Sequence, residues 1–164
     1  MRENLDIRGA VTIELTDGAG ALVARQHRSN QIVLTGRRLV AQLFGGVTGA
    51  PPGKVTHVAV GTDGTATSDG DAALRSERGP RNPITTVAYT DFDDRPTPGG
   101  PSVRRTRVSL TAVFDFDQVN GPEPLREAAL FTADKAGVMY NRVILDAVTK
   151  TNAFKLTVLW DIVF

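Results

Sequence analysis

The chain contains no cysteine. Disulfides, thiolate-bound zinc and thiol nucleophiles are thereby excluded, and a cytosolic life fits the composition. An excess of one charge is missing as well: 19 Lys+Arg face 18 Asp+Glu, a formal net charge of +1. A nucleic-acid coat needs surplus positive charge to neutralise phosphates, so nucleic acid is not an expected partner. Aromatics are scarce, with one Trp and two Tyr, and there are only two histidines. No apolar run approaches the ~20 residues that cross a bilayer. The longest, Val138 to Val148, is interrupted by Asn141, Arg142 and Asp146, so membrane insertion is not expected. The charged start, Met1 to Asp6, does not read as a signal peptide.

What is present points to a β-rich domain. A length of 164 residues suits one domain spanning 1–164, and 41% hydrophobic residues suffice for a core. Sixteen glycines and nine prolines imply many turns. Val11, Ile13 and Leu15 alternate as on one face of a strand, and Asp17-Gly18-Ala19-Gly20 signals a turn into a second strand at Ala21–Arg25. Residues 1–30 therefore read as an N-terminal hairpin. Ile32, Leu39, Val40, Leu43 and Phe44 keep helical spacing, predicting one helix near residues 35–44, with Thr35 as cap and Gly45-Gly46 as stop.

The rest reads as strand and loop. Val55–Gly61 and Ile84–Tyr89 are short strands, Thr62–Gly70 is a polar loop, and Asp71–Leu74 is a candidate helical turn. Residues 91–102 carry three prolines and two glycines and read as a mobile loop at a hairpin tip. Thr106, Val108, Leu110, Ala112, Phe114 and Phe116 share one face of a long strand. Phe154, Leu156, Val158, Trp160, Ile162 and Phe164 do the same at the C-terminus, each contributing roughly 1.5–3 kcal/mol when fully buried. The expected fold is mainly β, a single-domain β-sandwich or partly closed barrel with one helix.

Chemistry-bearing patterns are thin. His57 lies in an apolar strand and His27 in a charged one, there is no G-x-S-x-G elbow, and no nucleophile–base set is legible. Asp63, Asp69 and Asp71 lack the spacing and closing Glu of a calcium loop and read as turn residues. A carboxylate pair for glycoside hydrolysis would meet only in space, and few aromatics are available as sugar platforms. No catalytic residue, cofactor or metal is expected. Arg104, Arg105 and Arg107 lie along one strand, with Arg105 and Arg107 opposite the Phe114 face, where they suit ion pairs or a protein contact.

Four segments in order resemble the phage tail-collar fibre family. Val55-Thr56-His57-Val58-Ala59-Val60-Gly61 with Asp63-Gly64 resembles its "I-T-H-M-A-V-G-D-G" stretch, and Ala73-Leu74 with Glu77 and Arg81 its "L-x-x-E-x-x-R". Leu125-Arg126-Glu127-Ala128-Ala129-Leu130-Phe131 resembles "I-R-E-I/V-G-L-F", and Gly137-Val138-Met139 the "G-x-L" that follows. The likeness covers about residues 55–145. The ending Leu156 to Phe164 is similar to the "L-T-x-x-W-x-I-x-F" strand of short tail proteins of phages and phage-derived contractile injection particles.

This resemblance implies a non-enzymatic structural subunit of a contractile tail or tail-like particle, an adaptor, cap or baseplate/fibre-attachment component. It implies assembly in the cytoplasm into such a particle. The implied partners are copies of itself, as a trimer or hexamer, and other tail, tube, sheath or baseplate proteins. Interface candidates are Arg105, Arg107, Arg126 and Glu127, with Asp93, Asp94 and Arg95 in the proline-rich loop. The competing expectation is a carbohydrate- or receptor-binding β-sandwich tip, which would expose Trp160 or Tyr89 as a platform.

Overall fold

A computed structural model describes residues 7–47, 49 and 52–164. It contains nine strands and one helix: β1 (Arg8–Asp17), β2 (Leu22–Ile32), α1 (Leu34–Gly45), β3 (His57–Gly61), β4 (Asn82–Pro83), β5 (Thr86–Asp94), β6 (Val103–Phe114), β7 (Leu125–Phe131), β8 (Met139–Val148) and β9 (Phe154–Val163). Every pairing is antiparallel, in the order β4-β3-β7-β8-β2-β1-β9-β6-β5. The single sheet curls into a half-barrel, so the mainly β fold expected from the alternation is the one found.

Alternation decides which face is buried. Val11, Ile13 and Leu15 on β1 meet Leu156, Val158, Trp160 and Ile162 on β9 and Leu110, Ala112 and Phe114 on β6 in one apolar core. The sheet turns its corner at the end of β2: Asn30 still pairs with Gly9 on β1, whereas Gln31 and Ile32 pair with Arg142 and Asn141 on β8. Asn30 Oδ1 accepts a 2.9 Å hydrogen bond from Trp160 Nε1. A Cβ at Gly9 would lie 2.1 Å from Asn30 Oδ1, so only glycine lets that side chain reach inward.

Several boundaries differ from the sequence expectation. Strand β2 runs to Ile32, well past Arg25, because eight of its residues pair with β1 as far as Asn30 and its last two pair with β8. Thr35 does not cap α1; the N-cap is Val33, with no side-chain cap, and Thr35 Oγ1 donates to Met139 O at 2.6 Å. Gly46 ends the helix as expected, at φ 73° with its N–H on Gln42 O. Asp71–Leu74 forms no helical turn. Strand β5 continues through Asp94, so the irregular stretch between β5 and β6 is confined to residues 95–102; β6 stops at Phe114 rather than reaching Phe116.

The two ends of the sheet are joined by one stretch of chain. Asn82 and Pro83 pair with Val58 and His57, Ile84 N donates to Thr56 O at 2.8 Å, and Thr85 N then donates to Thr111 O at 2.8 Å. The chain thus leaves β3 for β6 within four residues. Beyond that crossing, among the described residues, β5 has a neighbour on one side alone, and the barrel stays open along it.

Candidate functional site

Two features stand out: a sealed polar node that fixes the loops at one end of the half-barrel, and an apolar groove along its open seam.

The node centres on Arg142. Placed on β8 inside an apolar run, it is fully buried, and so is Glu127 on β7. Arg142 Nε donates to Glu127 Oε2 at 2.8 Å. Its Nη1 donates to Thr65 O at 3.0 Å and Asp71 Oδ2 at 3.1 Å, and its Nη2 to Asp63 Oδ1 at 3.3 Å. Glu127 also accepts the Arg75 and Ser76 amides at 3.2 and 2.8 Å. One planar guanidinium fork thereby ties two strands to the loop from Thr62 to Arg81. Gly61 gives the carboxylate its space: a Cβ there would sit 2.6 Å from Glu127 Oε1 and 2.4 Å from Ser76 O.

The electrostatics follow from this geometry. The Thr65 amide on its Oδ1, the Thr65 hydroxyl and the charges of Arg142 and Arg75 hold Asp63 below the ordinary carboxylate range. Burial opposes ionisation of Asp71, but the Ser68 amide, the Arg75 hydrogen bond and the nearby guanidiniums outweigh it, and its pKa also lies low. Asp69 is paired instead with Arg37 through two 2.8 Å hydrogen bonds, which lower its pKa. The acidic loop is therefore arranged around guanidinium groups, and among the described residues no cluster of His, Asp or Glu suits a metal ion.

The interface candidates separate on this map. Glu127 acts inside the protein, with Arg142 rather than with Arg126, so it is withdrawn from the candidate surface; Arg126 is exposed beside Gly64. Asp94 receives Arg8 and, at 3.1 Å, Arg105. Asp93 pairs with Arg104 at 3.3 Å, both well exposed, and the Arg107 guanidinium lies 4.8 Å from the Phe92 ring centre. Arg95 is exposed in the 95–102 stretch. Asp91 in turn accepts a 2.8 Å hydrogen bond from the Thr106 hydroxyl, so each acid of β5 has a partner across the ladder or on β1, which explains why Asp91–Asp94 extend a strand instead of a loop.

The groove has a volume of about 660 Å³. The buried Leu110, Leu130 and Ile162 line it together with Val55, His57 and Ile84 and with the exposed Leu43, Val87, Tyr89 and Phe164. Val87 and Tyr89 pair with Leu110 and Val108, so they lie on the core face of the sheet. Even so they are 50% and 73% exposed, because no second layer among the described residues covers this part of β5. Phe44, next to Leu43, is 95% exposed. Such a cluster exceeds the scattered apolar residues of an ordinary surface. His57 Nδ1 is held by Thr56 Oγ1 at 2.8 Å, and His27 Nδ1 by Thr12 Oγ1 at 3.0 Å. Trp160 is sealed in the core, so of the two aromatic platforms expected for sugar binding only Tyr89 is exposed.

No protein-family model, curated protein or solved structure matches this chain.

Sequence reasoning missed the node because Arg142 looked like an interruption of an apolar run. An arginine in such a run is itself the available signal: a fully buried cation requires carboxylate partners.

Proposed function

We propose that this chain is a non-enzymatic structural subunit of a contractile phage tail or tail-like injection particle. It serves as an adaptor, cap or baseplate/fibre-attachment component, and works by closed self-association as a trimer or hexamer and by docking onto neighbouring tail proteins. The supporting observation is that the segments resembling the tail-collar pattern meet at one place. Gly61 and Asp63 come from the first, Glu77 and Arg81 from the second and Glu127 from the third. Arg142 joins the first and third, while Arg81 pairs with Glu77 at 2.8 Å and stacks 3.5 Å from the Phe131 ring centre. The motifs therefore describe a rigid scaffold for the loop from Thr62 to Arg81. That architecture suits a part that presents a fixed surface, and the open seam supplies an apolar one.

Light scattering on the purified chain and co-purification with contractile particles test the reading. A closed oligomer that travels with sheath and tube proteins is the expected result. A stable monomer absent from every particle fraction overturns it.

A further inference from the structure

We infer that the open seam is a two-fold contact in which β5 of one copy pairs antiparallel with β5 of a second copy, centred on Tyr89. The inference deepens the self-association proposed above by naming the surface and the symmetry.

The edge itself is the first argument. Strand β5 offers nine residues, has β6 on one side and, among the described residues, no strand on the other, and contains neither Pro nor Lys. Its acids are confined to the C-terminal end, so Thr86 to Thr90 is an unguarded edge, and such edges pair with another chain unless something blocks them. Its core-face side chains, Val87 and Tyr89, are exposed beside an unfilled apolar groove, so a second sheet edge would extend the ladder and cover that face together.

Charge selects a second copy and sets its register. All three acids of β5, Asp91, Asp93 and Asp94, lie at its C-terminal end. A parallel in-register pairing would set them against each other, and so would an antiparallel one centred on Asp91 or Phe92. Centred on Tyr89, the antiparallel pairing sets Asp91 opposite Val87 of the second copy and Asp93 opposite its Thr85. That end of the groove carries Lys54, which makes no ion pair among the described residues. Thr56, two residues from Lys54, accepts a hydrogen bond from Ile84 N, two residues from the start of β5. Each copy thus brings its acidic strand end to the other's lysine, twice per contact, and the two Tyr89 rings form a cross-strand aromatic pair. Of the two assemblies proposed, an isologous contact of this kind selects the hexamer, built from three dimers, over the plain three-fold trimer.

The absence of cysteine makes the test direct. In the full-length chain, Tyr89→Cys places one thiol on the two-fold axis, where opposite Cα atoms about 4.5–5.5 Å apart allow a disulfide. Mild oxidation is expected to convert Tyr89→Cys to a covalent dimer at least tenfold faster than Thr86→Cys, an exposed position away from the axis. Lys54→Glu and Asp91→Lys are each expected to lower the dimer fraction in light scattering, and the double variant to restore it. Equal cross-linking of the two cysteine variants, or no rescue by the double variant, overturns the contact. A three-fold oligomer that still joins particles also overturns it while leaving the structural-subunit reading in place; a monomer outside every particle overturns both.

Discussion

Arg142 Nε lies 2.8 Å from Glu127 Oε2, and both side chains are fully shielded from water. A pair of this kind gains little over apolar residues of similar size, but removing one member strands the other in a medium that cannot solvate it. Arg142→Met leaves Glu127 charged and buried and takes the shared donor from Asp63 and Asp71. The expected cost is about 3–5 kcal/mol, read as a lower urea midpoint. Proteolysis is expected to nick the part of the loop around Asp63 to Asp71 first, since the fork is one of its ties to the sheet, beside the Arg37–Asp69 pair. A variant with unchanged midpoint would show that the loop is held by other contacts.

The same node gives a sign for acid stability. Asp63 and Asp71 have folded-state pKa values below their ordinary ones, so the folded state binds protons less readily than the unfolded chain. Their contribution is complete above the unfolded value near ~4 and is lost as pH falls through the lower folded values. Stability should therefore be flat with respect to these groups from about pH 5 upward and decline below about pH 4. In Asp71→Asn the decline is expected to be shallower, although the variant is less stable at pH 7. Denaturation midpoints at a series of pH values check both points.

Helix α1 lies against β8 at a distance only glycine permits. A Cβ on Gly36 would fall 1.8 Å from Tyr140 O, and that neighbour is backbone. Gly36→Ala therefore has to displace the helix, at an expected cost of about 1–3 kcal/mol or more. Gly45, in the same helix, has open space around its missing Cβ. Gly45→Ala is expected to be neutral or to stabilise by about 0.5–1 kcal/mol, since glycine loses more entropy in a helix than alanine. Thermal unfolding of the two variants separates close packing from propensity.

The strands were legible where one face is buried and the other wet. Val11-Ile13-Leu15 and Leu156-Val158-Trp160-Ile162 announce themselves because burial on one side of a sheet imposes a period of two. The node was not legible, because its members are distant in sequence and joined by charge. Glu127 looks like the partner of adjacent Arg126, but successive strand residues point to opposite faces, and its true partner is on β8. Asp91 to Asp94 looked like loop for the opposite reason: their composition opposes strand, and partners distant in sequence offset it, the Thr106 hydroxyl for Asp91, Arg104 for Asp93, and Arg8 and Arg105 for Asp94. The open seam had no linear trace, since it depends on where the chain crosses from β3 to β6.

Tyr140 offers the last test. The residue is 4% exposed, and its hydroxyl has no hydrogen-bond partner among the described residues. Burial pushes its pKa up from 10.0 to about 12. A buried hydroxyl without a partner costs roughly 1–3 kcal/mol relative to one that water can reach, so removing it should relieve a penalty. Tyr140→Phe is accordingly expected to match or exceed the parent in stability at pH 7. Because the folded pKa is the higher one, the neutral phenol favours the folded state; that contribution is present below the unfolded value and is lost as pH rises towards about 12. The Phe variant should therefore lose less stability between pH 10 and pH 12, and phenolate absorbance should lack its component near 12. A clear loss of stability at pH 7 would instead mean that the hydroxyl makes a contact essential to the β8 packing.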